Sequence, residues 1–157
     1  MTVLRPLLLT LLFIAVPMIL ARGEDSDSTP PKWIHGKAAM FFGFSKDRST
    51  AFVYSSETSR FVTVSASDGF DKSVLPTGQG ELCVFQTSDA VYAINAYASE
   101  WAVLPNPNHA KVELNMSDSM LVAAFDGLIF VYGRKATEWS GISHSTGKLI
   151  ERTANGG

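Results

Sequence analysis

The sequence predicts an all-β protein built from three repeats, each with four strands. Short segments rich in β-branched and aromatic residues alternate with turns of Ser, Asp, Asn and Gly, which is the pattern of strands. The apolar residues recur with a period near two, and no window of eleven residues presents a helical face. Three of the segments align with one another without gaps.

Residues 1–23 predict a secretory signal peptide that is not part of the fold. Arg5 ends a short basic region, an apolar run follows at 6–20, and Ala21 and Gly23 are the small residues expected before a cleavage point. This run contains two prolines and is shorter than the ~20 residues of a membrane-spanning helix. We therefore expect a secreted or periplasmic protein with no membrane anchor after cleavage.

A disordered acidic spacer is expected at residues 24–31, because this segment is acidic, hydroxylated and ends in two prolines. The folded part is then 32–157. Removal of residues 1–23 takes away two arginines and no acid, which leaves 11 basic and 15 acidic residues and a net charge of −4. With 46% hydrophobic residues, this balance excludes a disordered polyampholyte and a basic protein that binds nucleic acid.

The three repeats are expected at about 32–72, 73–110 and 111–150. Each aligned segment contains two strands. An apolar run before it forms the hairpin partner, and a fourth strand is expected at 73–75 and at 111–116. The aligned aromatic positions are Phe52 with Tyr92 and Phe130, and Phe61 with Trp101 and Trp139.

Burial is expected to differ between the strands of a repeat. Continuous apolar runs in the first strand of each hairpin predict burial on both faces, as in a sheet that lies between two others. The alternating third strand suits a more exposed position, although the tryptophans and Phe61 at its start are interpreted as core positions. Stacked four-stranded sheets that recur every 38 to 40 residues are typical of propeller blades.

The segment 89–105 resembles the kelch repeat. In that family an alternating strand with a tyrosine, here Tyr92, leads through a polar turn to a tryptophan, here Trp101, and then to a leucine-proline step. Tyr132 and Trp139 continue the pattern in the third repeat. The resemblance implies a propeller-like β architecture and, in that family, binding more often than catalysis.

The number of repeats does not decide how the fold closes. Propellers close with about four to eight blades, and three uncovered blades would favour association through their faces and edges. One solution is a homodimer that completes a six-bladed ring. The alternative is a β-trefoil, in which three units of this size close on themselves without a partner.

Cys83 is the only cysteine and lies in the apolar run 82–85. We interpret it as a buried free thiol. The alternative in an oxidising compartment is an intermolecular disulfide.

No motif for catalysis, a cofactor or a metal is evident. His35, His109 and His144 are isolated from other ligands at metal-binding spacing, and the last two are expected in surface loops. Asp89 and Asp126 occupy similar hairpin turns, where aspartate usually bonds to its own backbone. We expect no metal and no cofactor, and we assign no catalytic residue.

Binding concentrates in the loops of a rigid scaffold. We expect a secreted, non-enzymatic module that binds a protein or a glycan through the loops at 68–72, 105–110 and 143–148. The alternative is a small secreted hydrolase with loop carboxylates. The candidate ligand-binding residues are Trp33, Tyr97, Asn108, His109 and His144.

Overall fold

The structure, a computed structural model, describes residues 40–150 and the short strand at 32–34. The predicted signal peptide, the predicted spacer and His35 lie outside these residues. The described part contains strands and no helix, and therefore no helix long enough to cross a membrane.

The strands form three antiparallel sheets, which confirms the all-β prediction. Sheet 1 contains β1 (Lys32–Ile34), β2 (Met40–Phe44), β3 (Thr50–Ser55) and β4 (Arg60–Ser65). Sheet 2 contains β5 (Thr77–Gln79), β6 (Leu82–Gln86), β7 (Ala90–Asn95) and β8 (Ala102–Pro105). Sheet 3 contains β9 (Glu113–Met116), β10 (Met120–Phe125), β11 (Leu128–Gly133), β12 (Ser140–Ser143) and β13 (Leu149–Ile150). The prediction of four strands is therefore wrong for sheet 3, because the chain continues past β12 into a fifth strand. Strands that follow one another in the chain are neighbours in each sheet.

The expected strand at 73–75 is wrong, because the chain forms a turn there and β5 begins at Thr77. The Asp71 carboxylate accepts hydrogen bonds from the backbone N–H of Ser73 at 2.7 Å and from its hydroxyl at 2.6 Å. The N–H of Val74 also donates to the carbonyl of Asp71. A side chain that bonds to the backbone two residues later competes with extended structure.

Sheet 2 lies between sheets 1 and 3 and is packed on both faces. In β6, the side chains of Cys83 and Phe85 belong to the core shared with sheet 1, whereas those of Leu82 and Val84 belong to the core shared with sheet 3. All four are buried. The prediction of burial on both faces is confirmed for this strand.

Aligned positions point the same way in all three sheets, so one face of each sheet carries most of the aligned aromatic residues. The opposite face carries mainly aliphatic residues, with Phe42 and Phe44 as exceptions on sheet 1. We call these two faces the aromatic face and the aliphatic face. Trp101 on the aromatic face of sheet 2 packs toward sheet 1, and Trp139 on that of sheet 3 packs toward sheet 2. The core prediction for both tryptophans is confirmed.

The outward faces of sheets 1 and 3 have no neighbouring sheet among the described residues. Phe61, which aligns with the two tryptophans, is 62% exposed, so its interpretation as a core residue is wrong. Strand β10 alternates between buried and less buried residues. The prediction that β10 is buried on both faces is therefore also wrong, since only one of its faces meets another sheet.

Cys83 is a free thiol with no exposed surface. Burial raises its pKa far above the usual value. The prediction of a buried thiol is confirmed, and the alternative of an intermolecular disulfide is wrong for this fold, since the sulfur is out of reach of a second chain.

Candidate ligand-binding rim

Both connections between the sheets lie at one end of the strands, together with one set of hairpin turns. We call this end the connection rim; it comprises residues 45–49, 66–76, 87–89, 106–112, 126–127 and 144–148. Backbone hydrogen bonds join its segments, for example from the N–H of Asn106 to the carbonyl of Asp89 at 2.6 Å. The three loops that the sequence singled out belong to this rim.

Arg48 fixes the first connection, between sheets 1 and 2. Its guanidinium donates to the carbonyls of Phe70, Asp71 and Val74 at 2.8 to 2.9 Å. It also lies 4.3 Å from the centre of the Phe44 ring, in the range of a cation–π contact. The hydrogen bonds from Ser73, aided by the charge of Arg48, lower the pKa of the Asp71 carboxyl.

Asn106 fixes the second connection, between sheets 2 and 3. Its side chain is buried, and its amide donates to the carbonyls of Ser88 at 3.2 Å and Ala110 at 2.8 Å. Its side-chain oxygen accepts from the N–H of Ala110 at 3.0 Å. All polar atoms of this side chain are thus used to shape the loop, which leaves the residues between Asn106 and Ala110 at the surface.

Asn108 and His109, in that loop, contact the two turn aspartates. The Asn108 amide donates to Asp126 Oδ2 at 3.0 Å. His109 Nδ1 lies 3.5 Å from Asp89 Oδ1, and these two side chains are 65% and 73% exposed. Asp126 therefore bonds to a residue of another loop, whereas its sequence context predicts a bond to the backbone of its own turn.

His144 belongs to the same neighbourhood. Its backbone N–H donates to the carbonyl of Gly127 at 2.9 Å, and its side chain is exposed, as predicted. The structure thus brings Asn108, His109 and His144 to one rim, around the turn that contains Asp126.

Tyr97 and Trp33 do not join this group. Tyr97 lies in the turn between β7 and β8, at the opposite end of the strands, and is 44% exposed, as its predicted turn position indicates. Its hydroxyl donates to Glu81 Oε1 at 3.2 Å, and burial together with this carboxylate raises the pKa of Tyr97. Trp33 pairs with Phe41 at the edge of sheet 1.

A cleft of about 1210 Å³ opens beside the connection rim. Its polar wall is formed by the first connection and by the turn between β6 and β7, with Asp68, Asp71 and Asp89 among its residues. Its apolar wall includes Phe85 and residues of β9. Asp89 is shared between the cleft and the contact with His109, so a ligand at the rim could extend into the cleft.

The chemistry of the rim is that of hydrogen bonding. It presents an amide, an imidazole, carboxylates and serine hydroxyls, which suit sugar hydroxyls or peptide groups. Within residues 40–150, no three residues among His, Cys, Asp and Glu are grouped so that they could hold a metal ion.

Sequence reasoning missed Arg48 and Asn106, which shape the rim. Arg48 has no local signal, since its partners are backbone carbonyls 22 to 26 residues later in the chain. Asn106 lies between two prolines in a predicted loop, where a polar residue would ordinarily be interpreted as exposed.

Comparison with known proteins leaves the resemblance to the kelch repeat as a prediction. No protein-family model matches this chain, and no curated protein matches it either.

Proposed function

We propose that the chain is a secreted, non-enzymatic β-repeat module that binds a protein or a glycan through the connection rim. One observation carries this proposal: a buried Asn106 holds Asn108 and His109 exposed beside Asp89 and Asp126. A loop that is already ordered loses little conformational entropy when a ligand binds. The rim therefore combines exposed hydrogen-bonding groups with a fixed shape.

We also infer that the three sheets are consecutive propeller-like blades, as the resemblance to the kelch repeat implies. Two observations support this inference. Sheet 2 lies between the other two sheets, and aligned residues occupy the same face in each repeat. The alternative, a β-trefoil, requires the three repeats to close on themselves, whereas sheets 1 and 3 share no hydrophobic cluster among the described residues.

Export of the chain rests on the signal-peptide pattern of residues 1–23. The N-terminal sequence of the exported protein tests it. A chain that begins at Glu24 supports the proposal, whereas an exported chain that retains Met1 contradicts cleavage.

Binding is tested with the purified chain on a glycan array and against proteins of the surrounding medium. The double variant Asn108→Ala, His109→Ala removes the central polar groups of the rim, and we expect it to lose at least tenfold in affinity. Tyr97→Ala at the opposite end is the matched control and should retain binding. Loss of binding in the control alone would place the site at the opposite end.

The same preparations distinguish binding from catalysis. If the chain cleaves a polysaccharide and Asp126→Ala abolishes the cleavage, the protein is an enzyme and the non-enzymatic proposal is wrong. Binding without turnover supports it.

A further inference from the structure

The outward face of sheet 1 is aromatic. Three aromatic side chains are neighbours there: Phe52 and Tyr54 on β3, and Phe61 on β4. The ring centre of Phe61 lies 6.1 Å from that of Phe52 and 5.1 Å from that of Tyr54. Phe41 continues this row on β2, 5.9 Å from Phe52. Phe61, with 62% of its surface exposed, is a large apolar side chain open to water.

The outward face of sheet 3 is aliphatic. Val122 is paired with Val131, and Ala124 with Ile129, so these side chains lie on one face of β10 and β11. All four are partly exposed, and Met120 on the same face is 46% exposed. Exposed apolar surfaces of this kind mark interaction sites.

The two outward faces correspond to the two sides of a contact that already exists inside the chain. Between sheets 2 and 3, Val91 and Ala93 on the aliphatic face of sheet 2 share a hydrophobic core with Phe130 and Tyr132 on the aromatic face of sheet 3. The aligned residues of the outward faces are Ile129 and Val131 on sheet 3, and Phe52 and Tyr54 on sheet 1.

We propose that a second copy of this chain covers both faces, head to tail. The aliphatic face of sheet 3 in each copy packs on the aromatic face of sheet 1 in the other, so that two identical contacts close six sheets into a ring. Six sheets are within the range that closes a propeller. The proposal rests on the inference that the sheets are blades, and the new contact continues the stacking that joins sheet 1 to sheet 2 and sheet 2 to sheet 3.

Charge does not oppose this contact. Among the described strand residues whose side chains lie on the two outward faces, Glu113 on the edge strand β9 carries the only charge. Burial of the centres of these faces therefore leaves no unpaired ion. If either face packed on the same face of a second copy, the other face would remain in water. The head-to-tail arrangement covers both faces.

The test is the mass of the purified chain by light scattering at micromolar concentration. We expect two copies for the wild type, with no growth at higher concentration. Phe52→Glu and Val131→Glu each place a charge in the centre of one face, and both variants should have the mass of one copy. Leu75→Glu is the matched control: Leu75 is 54% exposed but lies in the connection between sheets, and this variant should keep the mass of two copies.

A mixture of the two interface variants tests the direction of the contact. Each variant keeps the face that the other has lost, so one of the two contacts can form, and a weak mixed pair should appear. Circular dichroism identifies a variant that fails to fold, and Tyr54→Glu and Ile129→Glu then replace it.

Three outcomes would overturn the proposal. A wild-type monomer excludes the ring. Sensitivity to Phe52→Glu alone indicates a symmetric contact between two aromatic faces, and growth with concentration indicates an open chain of copies. None of these outcomes affects ligand binding by the rim, which Asn108→Ala, His109→Ala tests separately.

Discussion

The indole N–H of Trp139 donates a hydrogen bond of 3.2 Å to the carbonyl oxygen of Ala102 in the neighbouring sheet. Trp101 occupies the aligned position one repeat earlier, yet its buried indole nitrogen has no acceptor among the described residues. Phe61, at the third aligned position, has no donor at all. One of three equivalent positions therefore joins two sheets by a polar contact as well as by packing.

We expect Trp139→Phe to lower the free energy of unfolding more than Trp101→Phe does. Both changes remove similar apolar area, but only the first loses a hydrogen bond, worth about 1 kcal/mol. Trp101→Phe removes a donor that is already unsatisfied. Urea unfolding followed by circular dichroism measures the difference, and equal losses would contradict this account.

Most strands could be predicted from the sequence, because side-chain alternation is a local signal. The exposure of Phe61 could not be predicted from the sequence, because it depends on whether another sheet lies beyond sheet 1. The rim residues show the same limit. The sequence predicts Asn108, His109 and His144 as binding residues in loops. The turn aspartate that joins this group, Asp126, is brought there by the packing of sheets 2 and 3.

Arg48→Met should destabilise the connection between sheets 1 and 2. The variant removes three hydrogen bonds, although the Asp71 carbonyl keeps the N–H of Val74 as a donor. We expect a loss of about 2 kcal/mol in the free energy of unfolding. Arg48→Lys should restore little of this lost stability, because one ammonium group cannot bond to three carbonyls as the guanidinium does. The exposed Arg60, changed to Met, is the control and should cost less than about 0.5 kcal/mol. Unchanged hydrogen exchange at 66–76 in Arg48→Met would disprove the role of this side chain.

Asn106→Ala should loosen the loop that presents Asn108 and His109. The change removes three hydrogen bonds from a buried amide, and we expect a loss of about 1–3 kcal/mol. Faster hydrogen exchange at the N–H of Ala110 is the local signature. Exchange that stays as slow as in the wild type would show that other contacts hold the loop.

Cys83 should be unreactive in the folded protein. Its sulfur is buried, and the raised pKa keeps it in the thiol form, which is a poor nucleophile. A thiol-specific chromogenic reagent at pH 8 should modify Cys83 only in urea. The urea concentration that gives half-maximal modification should equal the midpoint of unfolding. Rapid modification without denaturant would mean that sheets 1 and 2 separate readily.

Tyr132 should make stability depend on alkaline pH. Its side chain has no exposed surface, and burial raises its pKa from 10 to about 12, although its hydroxyl accepts a hydrogen bond of 2.9 Å from the Asn95 amide. The unfolded chain loses this proton near pH 10, whereas the folded chain retains it. The stabilisation is therefore fully present below pH 10 and is lost as pH rises to about 12, by roughly 2–3 kcal/mol at 1.36 kcal/mol per pKa unit.

The variant Tyr132→Phe separates this effect from other alkaline effects. It loses the bond with Asn95, so at neutral pH we expect it to be less stable than the wild type by about 1 kcal/mol. Because it has no proton to release at this position, the difference should shrink above pH 10 and reverse before pH 12. Urea unfolding at a series of pH values measures it. A constant difference across this range would mean that the Tyr132 hydroxyl ionises as readily in the folded chain as in the unfolded one.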